Sequence, residues 1–142
     1  MVVGLGARWP RLSCREAAPL ILLDTNAVMY LQQGHPRMKR LSDTREPFFI
    51  SPATVLEITY LSEVGRLSSI TAKGVDASID DPRWVVDDPP ALAWFNAARE
   101  ITWTREPFDR LIVGHARYRG WRLATSDSRI VEALGPRYAI EV

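Results

Sequence analysis

Four carboxylates stand where solvation alone explains them poorly: Asp24, Glu57, Asp109 and Asp127. Asp24 ends the apolar run Leu20-Ile21-Leu22-Leu23, and Asp127 follows a second strand-like run from Trp121 to Thr125. Both therefore fall at carboxyl ends of expected strands, the edge of an open α/β sheet where ligand sites form. Residues spaced about 100° apart around a helix starting at Pro52 set Glu57 in an apolar arc with Ala53, Ile58, Tyr60, Leu61 and Val64, and Glu63 on the opposite side. The same projection from Pro107 sets Asp109 among Ile112, Val113 and Ala116, with Arg110 and Arg117 on a separate flank. A carboxylate facing a core is costly unless it is paired, protonated or bound to a cation. Four at one sheet edge would repel one another unless metal ions neutralised them, and oxygen-only ligands suit Mg²⁺ or Mn²⁺.

Each acid also has a plainer structural explanation. Asp24 and Asp127 are placed to cap helices beginning at Thr25 and Ser128, and Asp109 lies in a first helical turn, where backbone N–H groups and the helix dipole favour negative charge. Glu57 has the weakest alternative, and the coincidence of all four carries the metal-site reading. Asp43, Asp80, Asp81, Asp87 and Asp88 sit in polar or proline-flanked stretches and read as solvated surface. His35, in a Gly-His-Pro turn, and His115, projecting away from Asp109, read as structural. Trp94 and Trp103 lie in apolar context and read as core rather than as base-stacking platforms.

The elements that must position these acids alternate between strand and helix. Strands are expected at Leu20 to Leu23, Phe48 to Ile50, Trp84 to Val86, Trp121 to Thr125 and Tyr138 to Ile140. Helices are expected from Thr25 to Gln33, Met38 to Arg45, Pro52 to Gly65, Pro90 to Arg99, Pro107 to Arg119 and Ser128 to Leu134, with a short one between Ser68 and Asp81. Ser51-Pro52 is an N-cap followed by proline at the first helical position, and Gly120 closes the helix from Pro107. Such alternation predicts an α/β fold with a mostly parallel central sheet flanked by helices in three layers. Residues 1–19 carry Gly4, Gly6, Pro10 and Pro19 without periodicity and read as an irregular extension before a domain spanning 20–142.

The 142 residues, 46% of them hydrophobic, suffice for one core. The balance of 18 basic and 17 acidic residues announces no polyanionic partner through net charge, so any such preference must be local. A single cysteine, Cys14, excludes an internal disulfide and a multi-cysteine zinc site and is compatible with a reducing cytoplasm. No run reaches the length of a signal peptide or a membrane span.

In an ordered set of segments the chain resembles the PIN-domain family and, within it, the VapC-type toxins of bacterial toxin–antitoxin pairs. The segments are Leu22-Leu23-Asp24-Thr25-Asn26, Gly34-His35-Pro36-Arg37-Met38, Ser51 to Ile58, Gly65-Arg66-Leu67, Glu106 to Ile112, and Leu123-Ala124-Thr125-Ser126-Asp127. The resemblance covers Leu20 to Val142. It implies a PIN-like fold and a Mg²⁺- or Mn²⁺-dependent ribonuclease whose metal-binding acids map onto Asp24, Glu57, Asp109 and Asp127. Thr125 is similar to the hydroxyl residue that supports the site, and Asn26 matches a position often filled by Asn or His. It further implies a homodimer and a small antitoxin partner. Four positions depart from the family pattern: Glu106 replaces an aspartate, Leu61 a common lysine, and Gly114-His115 a common Ala-Gln pair.

Arg110, beside Asp109, is placed either to meet a substrate phosphate or to form a surface ion pair. Two rival functions share the early residues. An aspartate-nucleophile phosphatase would use Asp24 covalently, but would favour an acid at position 26 and a nearby lysine, whereas Asn26 stands there and Lys39 and Lys73 are the only lysines. A non-catalytic RNA- or protein-binding scaffold would lose acidic ligands, and all four are present.

Overall fold

Leu22 and Leu23 are wholly buried on opposite faces of the sheet, as the two-residue period of a strand requires, and they start the two halves of the core. The computed structural model describes residues 20–42, 47–67, 76–77 and 79–142. Its strands are β1 (Ile21–Leu23), β2 (Phe48–Ile50), β3 (Trp84–Val86), β4 (Arg122–Thr125) and β5 (Ala139–Glu141). They pair in the order β3-β2-β1-β4-β5, and every pair is parallel rather than most of them. The chain moves outward from β1 to β3 on one side, then crosses to β4 and β5 on the other. The crevice beyond the carboxyl ends of β1 and β4 is thus the switch point of the sheet, where open α/β folds bind ligands.

The helices are α1 (Thr25–Gln32), α2 (Lys39–Ser42), α3 (Pro52–Glu63), α4 (Ala91–Arg99), α5 (Pro107–Arg119) and α6 (Ser128–Leu134), with a 3-10 turn at Pro36–Met38 before α2. One side of the core joins Leu23, Val28, Leu31, Met38, Ile50 and Ile58, and the other joins Leu22, Trp94, Ile112, Val113, Leu123 and Ile130. Helices on both faces of a parallel sheet make three layers, as the alternating pattern predicts. Among the described residues no helix is long and apolar enough to cross a membrane.

Most elements end within a residue or two of expectation, the usual scatter where the last turn frays. The helix expected from Met38 to Arg45 is divided: its start is the 3-10 turn, α2 ends at Ser42, and positions 43–46 lie outside the described residues. Residues 1–19 and most of the Ser68 to Asp81 segment also lie outside them.

Two expectations about packing need correction. Tyr60 on α3 and Val64 at its C-cap are exposed, so the apolar arc around Glu57 is only partly a core face: Ala53 and Ile58 are buried and Leu61 partly so. Trp103 is exposed, whereas Trp94 is buried as expected and donates its indole N–H to the Leu111 carbonyl at 2.7 Å. Periodicity identifies which side chains share a face, but tertiary packing decides how much of that face is covered.

The Gly114 departure has a steric reason. A Cβ at that position would lie 2.7 Å from the Ala98 nitrogen and 2.8 Å from its Cα, so glycine permits the close contact of α4 with α5.

Candidate active site

At the carboxyl ends of β1 and β4, a cavity of about 50 Å³ is lined by Asp24, Thr25, Asn26, Glu57, Asp109, Ile112, Asp127 and Ile130. The four acids singled out in the sequence therefore meet from four different places: the end of β1, the middle of α3, the first turn of α5 and the loop between β4 and α6.

Asp24 is almost wholly buried and held at both oxygens. Its Oδ1 accepts the Ala27 N–H at 3.0 Å, capping α1, and its Oδ2 accepts a hydrogen bond from the Thr125 hydroxyl. Its own N–H donates to the Ala124 carbonyl at 3.0 Å, extending the β1–β4 pairing to the site. The Thr125 oxygen also accepts the Asp127 N–H at 3.0 Å, so one hydroxyl links both strand-end acids. Asp127 caps α6 by accepting the Arg129 N–H at 2.8 Å. The capping explanation for Asp24 and Asp127 is correct as far as it goes; a carboxylate that caps with one lone pair still has others directed into the cavity.

Glu57, partly buried, accepts a hydrogen bond from the Thr25 hydroxyl. Asp109 lies beside Glu106, which caps α5 by accepting the N–H groups of Phe108 at 3.2 Å and Asp109 at 2.6 Å. Glu106, noticed in the sequence only as a departure, thus adds a fifth negative charge near the pocket. Thr25 was likewise missed as a holder of Glu57, although its place between Asp24 and Asn26 was a usable signal. Asn26 lines the cavity from an exposed position.

Arg110 does not enter the pocket. Its guanidinium donates to the carbonyls of Ala98 at 3.3 Å and Arg99 at 3.0 Å, binding the C-terminal end of α4, where free carbonyls favour a cation. Neither expected role, a phosphate contact or a surface ion pair, describes this arrangement. Arg129 instead reaches the site, with guanidinium nitrogens 3.8 Å from Asp109 and 3.9 Å from Asp127.

The electrostatics follow from burial and like charge. Burial raises the pKa of Asp24 despite its hydrogen bonds from Thr125 and Ala27. Burial also raises Glu57, aided by Glu106 and Asp24 and opposed by the Thr25 hydrogen bond. Asp109 is pushed up to about 7 by burial and by the charges of Glu106, Asp127 and Glu57. These are acids short of positive charge.

The donor set fits a hard divalent cation: oxygens only, from carboxylates of which Asp24, Glu57 and Asp109 have proton affinities raised by burial and by neighbouring acids. Among the described residues no three acidic, histidine or cysteine side chains converge tightly enough to form a ready-made coordination cluster. A carboxylate-lined pocket of this kind suits Mg²⁺, which keeps several waters and takes only a few ligands directly from protein.

Asp87 was read as solvated surface, and the structure corrects this. It follows β3 and accepts hydrogen bonds from Arg119 at 2.8 and 3.1 Å, with its Oδ2 2.7 Å from His115 Nε2. His115 is fully buried, and its structural role agrees with the sequence reading. Asp81 is also paired, with Arg83 at 2.6 Å. Asp80 and Asp88 are exposed as expected, and Asp43 lies outside the described residues.

Comparison with known proteins agrees with this architecture. The model of the PIN domain family matches residues 21–134. The tRNA(fMet)-specific endonuclease VapC of Shigella flexneri is 27% identical over 124 residues, covering 80% of this chain and 91% of that protein. The DNA-bound VapBC structure from Salmonella typhimurium superposes with a TM-score of 0.62 at 22% identity, covering 87% of this chain and 98% of that one. VapBC2 from Rickettsia felis, bound to a promoter DNA fragment, gives 0.57 at 19% identity, covering 86% and 97% respectively.

Proposed function

The chain belongs to the PIN domain family, and from that premise we propose that it is a metal-dependent ribonuclease acting as the toxin of a VapBC-type toxin–antitoxin pair. The observation that carries the reading is the gathering of Asp24, Glu57, Asp109 and Asp127 around one small cavity at the sheet's switch point. The likeness to an endonuclease across most of both chains supports the reaction class.

Mg²⁺ or Mn²⁺ would be held by Asp24, Asp109 and Asp127, with Glu57 completing the set. When bound, the ion supplies charge neutralisation at the phosphate and a more acidic water for attack on phosphorus. The chain supplies position. Thr125 and the Ala27 N–H fix Asp24 so that it cannot turn away from the cavity. The Thr25 hydroxyl orients Glu57, whose raised proton affinity suits it to align a water and receive its proton. Ile112 and Ile130 wall the cavity and restrict competing solvent.

Residues 20–142 form the catalytic PIN domain in this proposal, preceded by the extension 1–19. A small antitoxin is the expected protein partner, as the VapBC complexes suggest, with homodimerisation and a cytoplasmic location resting on family resemblance.

The test is cleavage of cellular RNA by the purified chain. Mg²⁺ or Mn²⁺ is expected to support cleavage, and EDTA to stop it. Undiminished cleavage in EDTA would reject metal dependence, and no cleavage with either ion would reject the ribonuclease.

A further inference from the structure

Arg129 is the one described cation that reaches the acidic pocket, and its two ends are held very differently. Its backbone N–H is fixed on Asp127 at 2.8 Å in the first turn of α6. Its side chain is 66% exposed, and the guanidinium bridges loosely between Asp127 on its own helix and Asp109 on α5, at 3.9 and 3.8 Å. Both separations exceed hydrogen-bond length, so the head group is attracted without being locked. Arg110, the nearest alternative by sequence, is engaged with carbonyls at the end of α4.

A polyanion cannot approach Asp24, Glu57, Glu106, Asp109 and Asp127 without positive charge close by. An ion in the pocket would satisfy Asp109 and Asp127 and weaken their hold on the guanidinium. We infer that Arg129 is a tethered counter-charge that partly offsets Asp109 and Asp127 in the ion-free protein and turns to an RNA phosphate when a divalent ion takes its place. The inference rests on the ribonuclease reading for its second half only. Arg129 is suited to both tasks because its planar fork can meet either carboxylate or phosphate oxygens. Its anchored backbone returns the same group to the rim of the pocket, and its exposure leaves the side chain free to turn.

The two halves demand opposite changes from one substitution. In Arg129→Ala, Mn²⁺ titrated into the protein without RNA should bind several-fold more tightly, because the competing positive charge is gone. A fluorescein-labelled single-stranded RNA with phosphorothioate linkages that resist cleavage, bound in Mg²⁺ by the protein with all four acids intact, should lose about tenfold in affinity in Arg129→Ala. The slope of log affinity against log salt should fall by about 0.7, the value for one phosphate contact on a single strand. Arg129→Lys should retain the Mn²⁺ behaviour of the parent and recover part of the RNA affinity, since it keeps charge and loses the fork.

Unchanged or weaker Mn²⁺ binding in Arg129→Ala overturns the counter-charge role. Unchanged RNA affinity and salt slope overturn the phosphate role, even where the parent enzyme cleaves RNA normally. A parent that cleaves no RNA overturns the ribonuclease reading instead, and the Mn²⁺ titration still decides the first half.

Discussion

Asp24 and Asp87 occupy equivalent places in the fold and have opposite fates. Each follows a parallel strand, and each donates its backbone N–H to a carbonyl of the neighbouring strand at 3.0 Å, Asp24 to Ala124 and Asp87 to Ile50. Asp87 meets two guanidinium donors of Arg119 and the ring of His115; these outweigh the burial that would raise its pKa and bring it below the usual value. Asp24 meets a hydroxyl, a backbone N–H and other carboxylates, and burial keeps its pKa above the usual value. A strand-end aspartate is thus no sign of a site in itself. The sign is a buried acid whose charge the protein leaves uncompensated.

The sharpest test exchanges charge for an isosteric amide at one place and removes the side chain at the other. Asp24→Asn should lower metal-dependent RNA cleavage at least about a hundredfold, by loss of a central ligand, while the ion-free protein melts no earlier than the parent. Asp87→Ala should do the reverse in kind. It strands His115 and Arg119, costing about 1.5–3 kcal/mol of stability in urea unfolding, and leaves cleavage by the folded fraction within a few-fold of the parent. Equal losses of activity without loss of stability in both would remove the distinction between them.

Gly114→Ala probes the contact that carries the Asp87 side of the molecule. The added Cβ meets Ala98 backbone at 2.7 Å, so α4 and α5 must separate, at a cost of about 1–3 kcal/mol read from urea unfolding. A neutral effect would show that the two helices slide apart freely.

The two regions should also titrate in opposite senses. Asp109 has a folded pKa of about 7 against an ordinary 3.8, so the folded ion-free protein holds a proton that the unfolded chain releases. That contribution is fully present below pH 3.8 and is lost as pH rises through about 7. His115 is lowered from 6.5 chiefly by burial, against the pull of Asp87, so its contribution is present above pH 6.5 and is lost as pH falls through its folded value. In EDTA, Asp109→Asn should flatten the decline of stability towards pH 8, and saturating Mg²⁺ should do the same in the parent. A decline unchanged by both would place its origin outside the pocket.

The smallest effect belongs to Arg110→Ala. Loss of its bonds to Ala98 and Arg99 should cost about 0.5–1.5 kcal/mol of stability and leave the KM for RNA unaltered. A several-fold rise in KM would return Arg110 to the substrate side of the comparison.

The order of strands and helices was legible because its signals are local. Apolar runs mark β1 and β4, Ser51-Pro52 starts α3, and Gly120 ends α5 at a φ of 70°. The candidate acids were legible for a related reason: strand ends and helical spacing place Asp24, Glu57, Asp109 and Asp127 before any long-range contact is known. Local period could not reveal that Tyr60 and Val64 are exposed beside Glu57, or that Arg110 binds α4 while Arg129 reaches the pocket. Nor could it distinguish Asp87 from a solvated aspartate, since Arg119 lies 32 residues away in sequence. The Thr125 hydroxyl that holds Asp24 comes from 101 residues away. Which elements form and which acids they carry follow from neighbouring residues along the chain, because backbone period and capping act over a few residues. Which of those acids receive a counter-charge depends on long-range packing, because ion pairs and burial come from elements that meet only when the sheet and its two helical layers assemble.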